Sequence, residues 1–301
     1  MYATRATRPR VLRLQWLAVV LAWLAAAAGA AEPPTPQGLR TAHEQMRLQL
    51  ARSPFGRPVL LDSSETPDGL QGDVYAVVDH PMTEVGAALK TPGHWCDLLV
   101  LHIDNRRCRL LKEPQGETLT LFVVRRFDDA IGNAFELSFA WRLLHSTPEH
   151  LSIELEATNG PMGTSNYRVR LDAVALDARQ TFLHFAYSYE HNLMAKLATQ
   201  AYLATFGADK VGFTVVGKTP AGTPEHIRGL RGLVERNAMR YFLTLDAYLA
   251  GLDAPPSQQA DRRLRHWYAA AEKHPRQLHE VDLETYLALK RADRERDRGA
   301  H

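Results

Sequence analysis

Side chains able to do chemistry are plentiful in this chain, but few stand at the spacings that chemistry requires. The thirteen histidines are scattered: His145 and His150 straddle a turn, and His184 and His191 bracket a strand end. No His-Glu-x-x-His or Cys-x-x-Cys pair occurs, so the spacing predicts no metal site. No Gly-x-Ser-x-Gly elbow marks a hydrolase, and the Gly163-Thr164 turn lacks the lysine of a phosphate loop. Neither a catalytic residue nor a cofactor is therefore expected. Glu154 and Glu156 share one face of a strand, alternate with leucine, and are expected to face solvent. Cys96 lies beside His94 and Asp97, residue types that can activate a thiol, but no further base is identifiable. Cys108 is the one other cysteine, and the export signal described below points to an oxidising compartment, so a Cys96–Cys108 disulfide is expected.

The stronger candidates are for binding. Phe139 and Trp141, Tyr167, and Phe185, Tyr187 and Tyr189 lie in successive strands, and alternation assigns all of them, with Phe135, to one inward face. Tyr241 falls on the apolar stripe of a long helix, and Asn237 puts an amide on that same stripe. Two readings stay open. The aromatics are ordinary core, with Asn237 pairing a buried tyrosine, or they wall a cavity in which Asn237 meets the polar head of an apolar ligand.

These residues are positioned by a run of six strands between 101 and 190 with no helical pattern among them. The clearest is 135–143, where Phe135, Leu137, Phe139, Trp141 and Leu143 alternate with polar or small residues. Turn signals at 113–116, 146–148, 159–163 and 176–179 predict a continuous antiparallel meander. An apolar sheet face needs a cover, and the helix predicted over 224–250 supplies it. Thr223 reads as its cap, Pro224 as its first residue and Gly251 as its stop. Ile227, Leu230, Val234, Ala238, Tyr241, Leu245, Leu249 and Leu252 form its stripe. Earlier elements are a helix over 37–51, a short strand near 58–61, a strand over 72–80, and two short helices, 82–90 and one through Trp95, Asp97 and Leu99.

The chain begins with Arg5, Arg8, Arg10 and Arg13, an apolar run over 16–28, and the small residues Ala28-Gly29-Ala30. This pattern predicts a secretory signal peptide cleaved at about Ala30 and a periplasmic or secreted protein. Removal takes four arginines and no acid from a formal net charge of +2, leaving −2. Such a balance gives no drive toward nucleic acid.

The order strand, two short helices, six strands, long helix resembles the helix-grip fold of the START and polyketide-cyclase superfamily. Asp79-His80-Pro81 running into Met82-Thr83-Glu84-Val85-Gly86-Ala87-Ala88-Leu89, then His94-Trp95, looks like that superfamily's lead-in to its paired helices. The resemblance implies an α+β domain in which a curved antiparallel sheet wraps the long helix and leaves an apolar cavity between them. It divides the chain into a signal peptide (1–30), a segment with one helix (31–57), the START-like domain (58–252) and a helical appendage (253–301). Departures are an extra helix over 192–206 and two appended helices, 260–273 and 281–294. The function it implies is exported binding of a lipid or hydrophobic small molecule, with transient membrane contact. The alternatives are a cyclase- or hydrolase-like enzyme on the same fold, and a partner-binding protein with a filled core.

Overall fold

The computed structural model describes residues 34–205 and 207–298, which lie in one compact unit. The signal peptide expected over 1–30 lies outside the described residues. The chain opens with α1 (Pro36–Ala51), capped by the Thr35 hydroxyl, which accepts from the Gly38 N–H at 3.1 Å. The hairpin β1 (Val59–Glu65) and β2 (Gly69–Val78) leads into α2 (Met82–Leu89) and α3 (Pro92–Leu99). Six strands follow: β3 (Asn105–Glu113), β4 (Gly116–Val123), β5 (Phe135–Ser146), β6 (His150–Asn159), β7 (Thr164–Ala175) and β8 (Thr181–His191). After them come α4 (Leu193–Ala204), a small hairpin of β9 (Val215–Lys218) and β10 (Pro224–His226), and the long α5 (Gly229–Ala250). The chain ends with α6 (Pro256–Ala271), a short α7 (Pro275–Leu278) and α8 (Leu283–Arg298).

Strands β1 to β8 form one antiparallel sheet in the order β1-β2-β8-β7-β6-β5-β4-β3. The meander is closed onto the N-terminal hairpin by β8, which sets Phe185 opposite Val74 and Tyr189 opposite Leu70. Strand parity then decides the layers. Leu137, Phe139 and Trp141, Leu151, Ile153 and Leu155, and Val169 and Leu171 all point inward and are buried. On the outer face α1 packs Leu39 and Leu50 against Val174 and Phe182.

Helix α5 lies across the inner face at β2, and Gly72 is what lets it approach. A Cβ placed there would stand 2.8 Å from the Ala238 Cβ and 3.3 Å from the Val234 carbonyl. Both edges of the curled sheet reach this helix. On one side the Ser63 hydroxyl of β1 donates to the Glu235 carboxylate at 2.7 Å. On the other, the His102 ring, just ahead of β3, stacks on Tyr241 at 4.6 Å between centroids. This is the helix-grip arrangement.

Four expectations need correction. The strand foreseen near 58–61 is a full edge strand, so two strands rather than one precede the paired helices. The first strand of the meander starts at Asn105 and not at 101, because residues 101–104 continue as turns off α3, with Leu101 N–H donating to the Leu98 carbonyl and Asn105 N–H to that of His102. The long helix starts at Gly229, not 224. Pro224 and Glu225 belong to β10, Ile227 pairs its backbone with Gly212 and Thr214, and Gly229 takes φ +68°, which no right-handed helix can run through. Finally, Glu154 does not face solvent. It is buried on the outer sheet face among Arg142, Arg168 and Arg170, with half-buried Glu156 bridged to Arg142 and Arg168.

The C-terminal helices are part of the core. Leu264 and Trp267 of α6 and Tyr286 and Leu287 of α8 belong to the same buried cluster as the sheet. The Tyr286 hydroxyl donates to the Leu101 carbonyl at 2.7 Å, and Arg106 grips Asp293 at 2.7 and 2.9 Å.

Candidate functional site

Strands β5, β7 and β8 and helix α5 bring the predicted aromatic residues onto one inner surface. Phe139 meets Tyr167 edge-on at 6.5 Å, Tyr167 stacks on Tyr189 at 5.1 Å, and Tyr187 lies 5.8 Å from Tyr189 and 5.3 Å from Tyr241. The ring path thus crosses from sheet to helix. Trp141 and Phe185 are buried on the same face, and the Trp141 indole N–H has no hydrogen-bond partner. Asn237, one turn before Tyr241, is half-buried.

The polar atoms on this surface are unevenly satisfied. Tyr167 donates its hydroxyl to Thr164 Oγ1 at 2.9 Å. The hydroxyls of Tyr187 and Tyr189 and the amide of Asn237 show no hydrogen bond among the described residues, and the Tyr241 hydroxyl lies against the Asn105 side chain. Burial pushes all three of these phenols upward, so each is a neutral donor at physiological pH. Tyr241 and Asp104 are both half-buried at this end of the surface.

Sequence reasoning missed a second set, at the Tyr241 end of the path. His102, Asp104 and Asn105 come from the turn before β3, Arg240 from α5 and Lys290 from α8. Burial, then the nearby Arg240 and Lys290 charges, hold the His102 imidazole well below its ordinary range, so it is neutral. Its Nδ1 accepts the Asp104 N–H at 3.1 Å, which leaves the proton on Nε2. Burial lifts the Asp104 carboxyl to about 6 against the pull of Arg240 and Lys290. Burial lowers the Lys290 ammonium to about 7, opposed by Asp293 and Asp104. Lys290 donates to the carbonyls of His102, Ile103 and Asn105 at 2.6, 3.2 and 2.8 Å, tying α8 to this turn. The one sequence signal was Asp104-Asn105 directly after a short helix, a turn pair and not a strand start.

Cys96 and Cys108 are joined, linking α3 to β3 with a Cα–Cα distance of 5.2 Å, so Cys96 is no nucleophile. Among the described residues no group of three His, Cys, Asp or Glu side chains could hold a metal ion. No helix there is long and apolar enough to cross a membrane. At the sheet end where β6 meets β7 and β8 runs into α4, Met162, Leu193, Met194 and Leu197 are exposed.

A curled antiparallel sheet gripping a long helix, with paired short helices after the opening hairpin, decides the fold. The chain has the helix-grip fold. It is similar to the Zhui aromatase/cyclase of a Streptomyces species, at 17% identity over 65% of this chain and 96% of that one, with a TM-score of 0.37. It is similar to a START superfamily protein of Mycobacterium smegmatis, at 15% identity over 46% of this chain and 92% of that one, TM-score 0.31. A third is truncated norcoclaurine synthase of Thalictrum flavum, at 12% identity over 48% and 91%, TM-score 0.33. No activity transfers on likenesses this distant. No family model and no curated protein matches the chain.

Proposed function

We propose that this is an exported protein that binds a lipid or other hydrophobic small molecule between the sheet and α5. One observation carries the reading. A continuous wall of buried rings runs from Phe139 on the sheet to Tyr241 on the helix, with the unpaired Trp141 indole N–H and the half-buried Asn237 amide on the same surface. Apolar walls with a few convergent polar groups are the usual build of a small-molecule pocket. The exposed apolar rim of Met162, Leu193, Met194 and Leu197 supports loading by brief contact with a lipid surface.

Asn237→Leu tests the reading. The amide has no partner to strand, so the empty protein should change by less than about 0.5 kcal/mol. A ligand at a hundred times its Kd adds about 2.7 kcal/mol to the native state. Melting curves with and without extracted lipid should show that rise in the unaltered protein and a smaller one in the variant. Equal rises would remove Asn237 from the site. No rise in either would leave the core simply filled.

A further inference from the structure

Four polar groups at the Tyr241 end of the inner surface have atoms with no hydrogen-bond partner, and all are groups that sequence analysis did not connect. Asn105 Oδ1, His102 Nε2 and Arg240 Nε are buried and unpaired. The half-buried Asp104 carboxylate shows no hydrogen bond among the described residues. His102 stacks on Tyr241 at 4.6 Å, its Nδ1 accepts the Asp104 N–H at 3.1 Å, Tyr241 lies against the Asn105 side chain, and Asp104 feels the charge of Arg240, so the four groups share one neighbourhood. A native interior rarely leaves so many groups unmet without something that meets them.

We propose that this turn is the polar floor of the chamber and recognises a hydroxyl-bearing apolar molecule, an alcohol or phenol, in preference to a carboxylate. The inference rests on the binding function proposed above and names its ligand class.

The argument is an inventory of valences. The free acceptors are the Asp104 carboxylate and Asn105 Oδ1. The free donors are His102 Nε2–H and Arg240 Nε–H. One hydroxyl both donates and accepts, and so answers one of each. A carboxylate could only accept, and would stand as a second anion beside Asp104, whose value of about 6 leaves it ionised at pH 8. The surrounding cations offer little compensation because they are already engaged. Arg240 and Lys210 both bind Glu280, Lys210 also donates to the His279 carbonyl at 3.0 Å, and Lys290, at about 7, is mostly uncharged at pH 8 and is turned toward backbone carbonyls. An ether, which accepts but cannot donate, would leave Asp104 unmet. Sites built to bond a hydroxyl reject the analogue lacking it because their own buried groups are stranded.

The experiment titrates the purified protein with 1-decanol, its methyl ether and decanoate at pH 8 by calorimetry, and repeats this with Asp104→Asn. The expected result is at least ten-fold tighter binding of decanol than of either analogue. In the variant the preference over decanoate should fall several-fold, because the competing anion is gone. Equal affinity for all three probes, or a preference that Asp104→Asn leaves untouched, would overturn the hydroxyl floor while leaving the binding function standing. Binding of none would overturn both. The discrimination shown by the unaltered protein decides the matter even where the variant does not fold.

Discussion

Gly72 is where the sheet and α5 come closest, and replacing it by alanine should push them apart. The added Cβ would sit 2.8 Å from the Ala238 Cβ, with the Val234 carbonyl at 3.3 Å and the Val234 Cγ2 at 3.7 Å. Carbon atoms rest at about 3.5–4.0 Å, so roughly an ångström must be found along a contact between two rigid elements. Overpacking of that kind costs about 1–3 kcal/mol. Loss of glycine's freedom in the unfolded chain returns about 0.4–1 kcal/mol, so the net destabilisation should be about 1–2 kcal/mol. Ala238→Gly alone should cost a comparable amount, since glycine inside a helix costs about 1 kcal/mol. Together the two should not add: the methyl removed from the helix vacates the space that the methyl on the strand needs. Urea unfolding of the four proteins gives the coupling directly, expected at more than about 1 kcal/mol in the rescuing direction. Additivity within about 0.5 kcal/mol would show that α5 does not rest on β2 at this point, and with it the packing account would fall.

Thiol titration of the unfolded, unreduced protein should find no free thiol, because Cys96 is bonded to Cys108. Replacing both by alanine removes a link between residues 12 apart and should cost about 3 kcal/mol in denaturant unfolding. Burial works to raise the Asp246 carboxyl, but hydrogen bonds from His266 and Arg57 outweigh it and hold the group well below the usual carboxylate range. Its folded value being the lower one, its contribution is whole above pH 4 and drains away as pH falls below that. Asp246→Asn should therefore flatten the loss of melting temperature between pH 5 and pH 2, and an unchanged acid limb would contradict the Arg57–Asp246 clamp. Asp293→Ala leaves the buried Arg106 without its carboxylate and should cost about 3–5 kcal/mol in the same unfolding assay, a loss under 1 kcal/mol counting against it.

The sheet was legible because its signal is local. Leu137, Phe139 and Trp141 announce a half-buried strand within a few residues, and a one-residue slip would have turned every one of them to the outside. The inward placement of Tyr167, Tyr187 and Tyr189 followed from the same parity. The start of α5 was not legible, because Thr223-Pro224-Glu225 imitates a capped first turn while Gly229, the residue that sets the true start, looks like any helix glycine. Burial of Glu154 was hidden for another reason. Its neutralising arginines sit on the strands either side, Arg142 on β5 and Arg168 and Arg170 on β7, and only the register puts them beside it.

The polar floor was invisible for a reason that also explains the C-terminal helices. When a sheet curls around a helix, its first and last strands remain as edges with unpaired backbone, and β3 is such an edge. Helix α8 covers it with charged side chains that read, in sequence, as a solvated tail: Asp293 takes Arg106, Asp297 takes Arg107, and Lys290 takes the carbonyls of the turn before the strand. Every one of these partners is more than 180 residues away in the chain, beyond the reach of any local pattern. Tying the turn from outside fixes the backbone of 102–105, and a fixed backbone lets His102, Asp104 and Asn105 stay aimed inward with valences unmet. A looser turn would rotate those groups to water and satisfy them there, since an unpaired buried polar group costs about 1–3 kcal/mol. The appended helices thus act on the chamber from behind, holding its floor in a state that an unbraced turn would abandon.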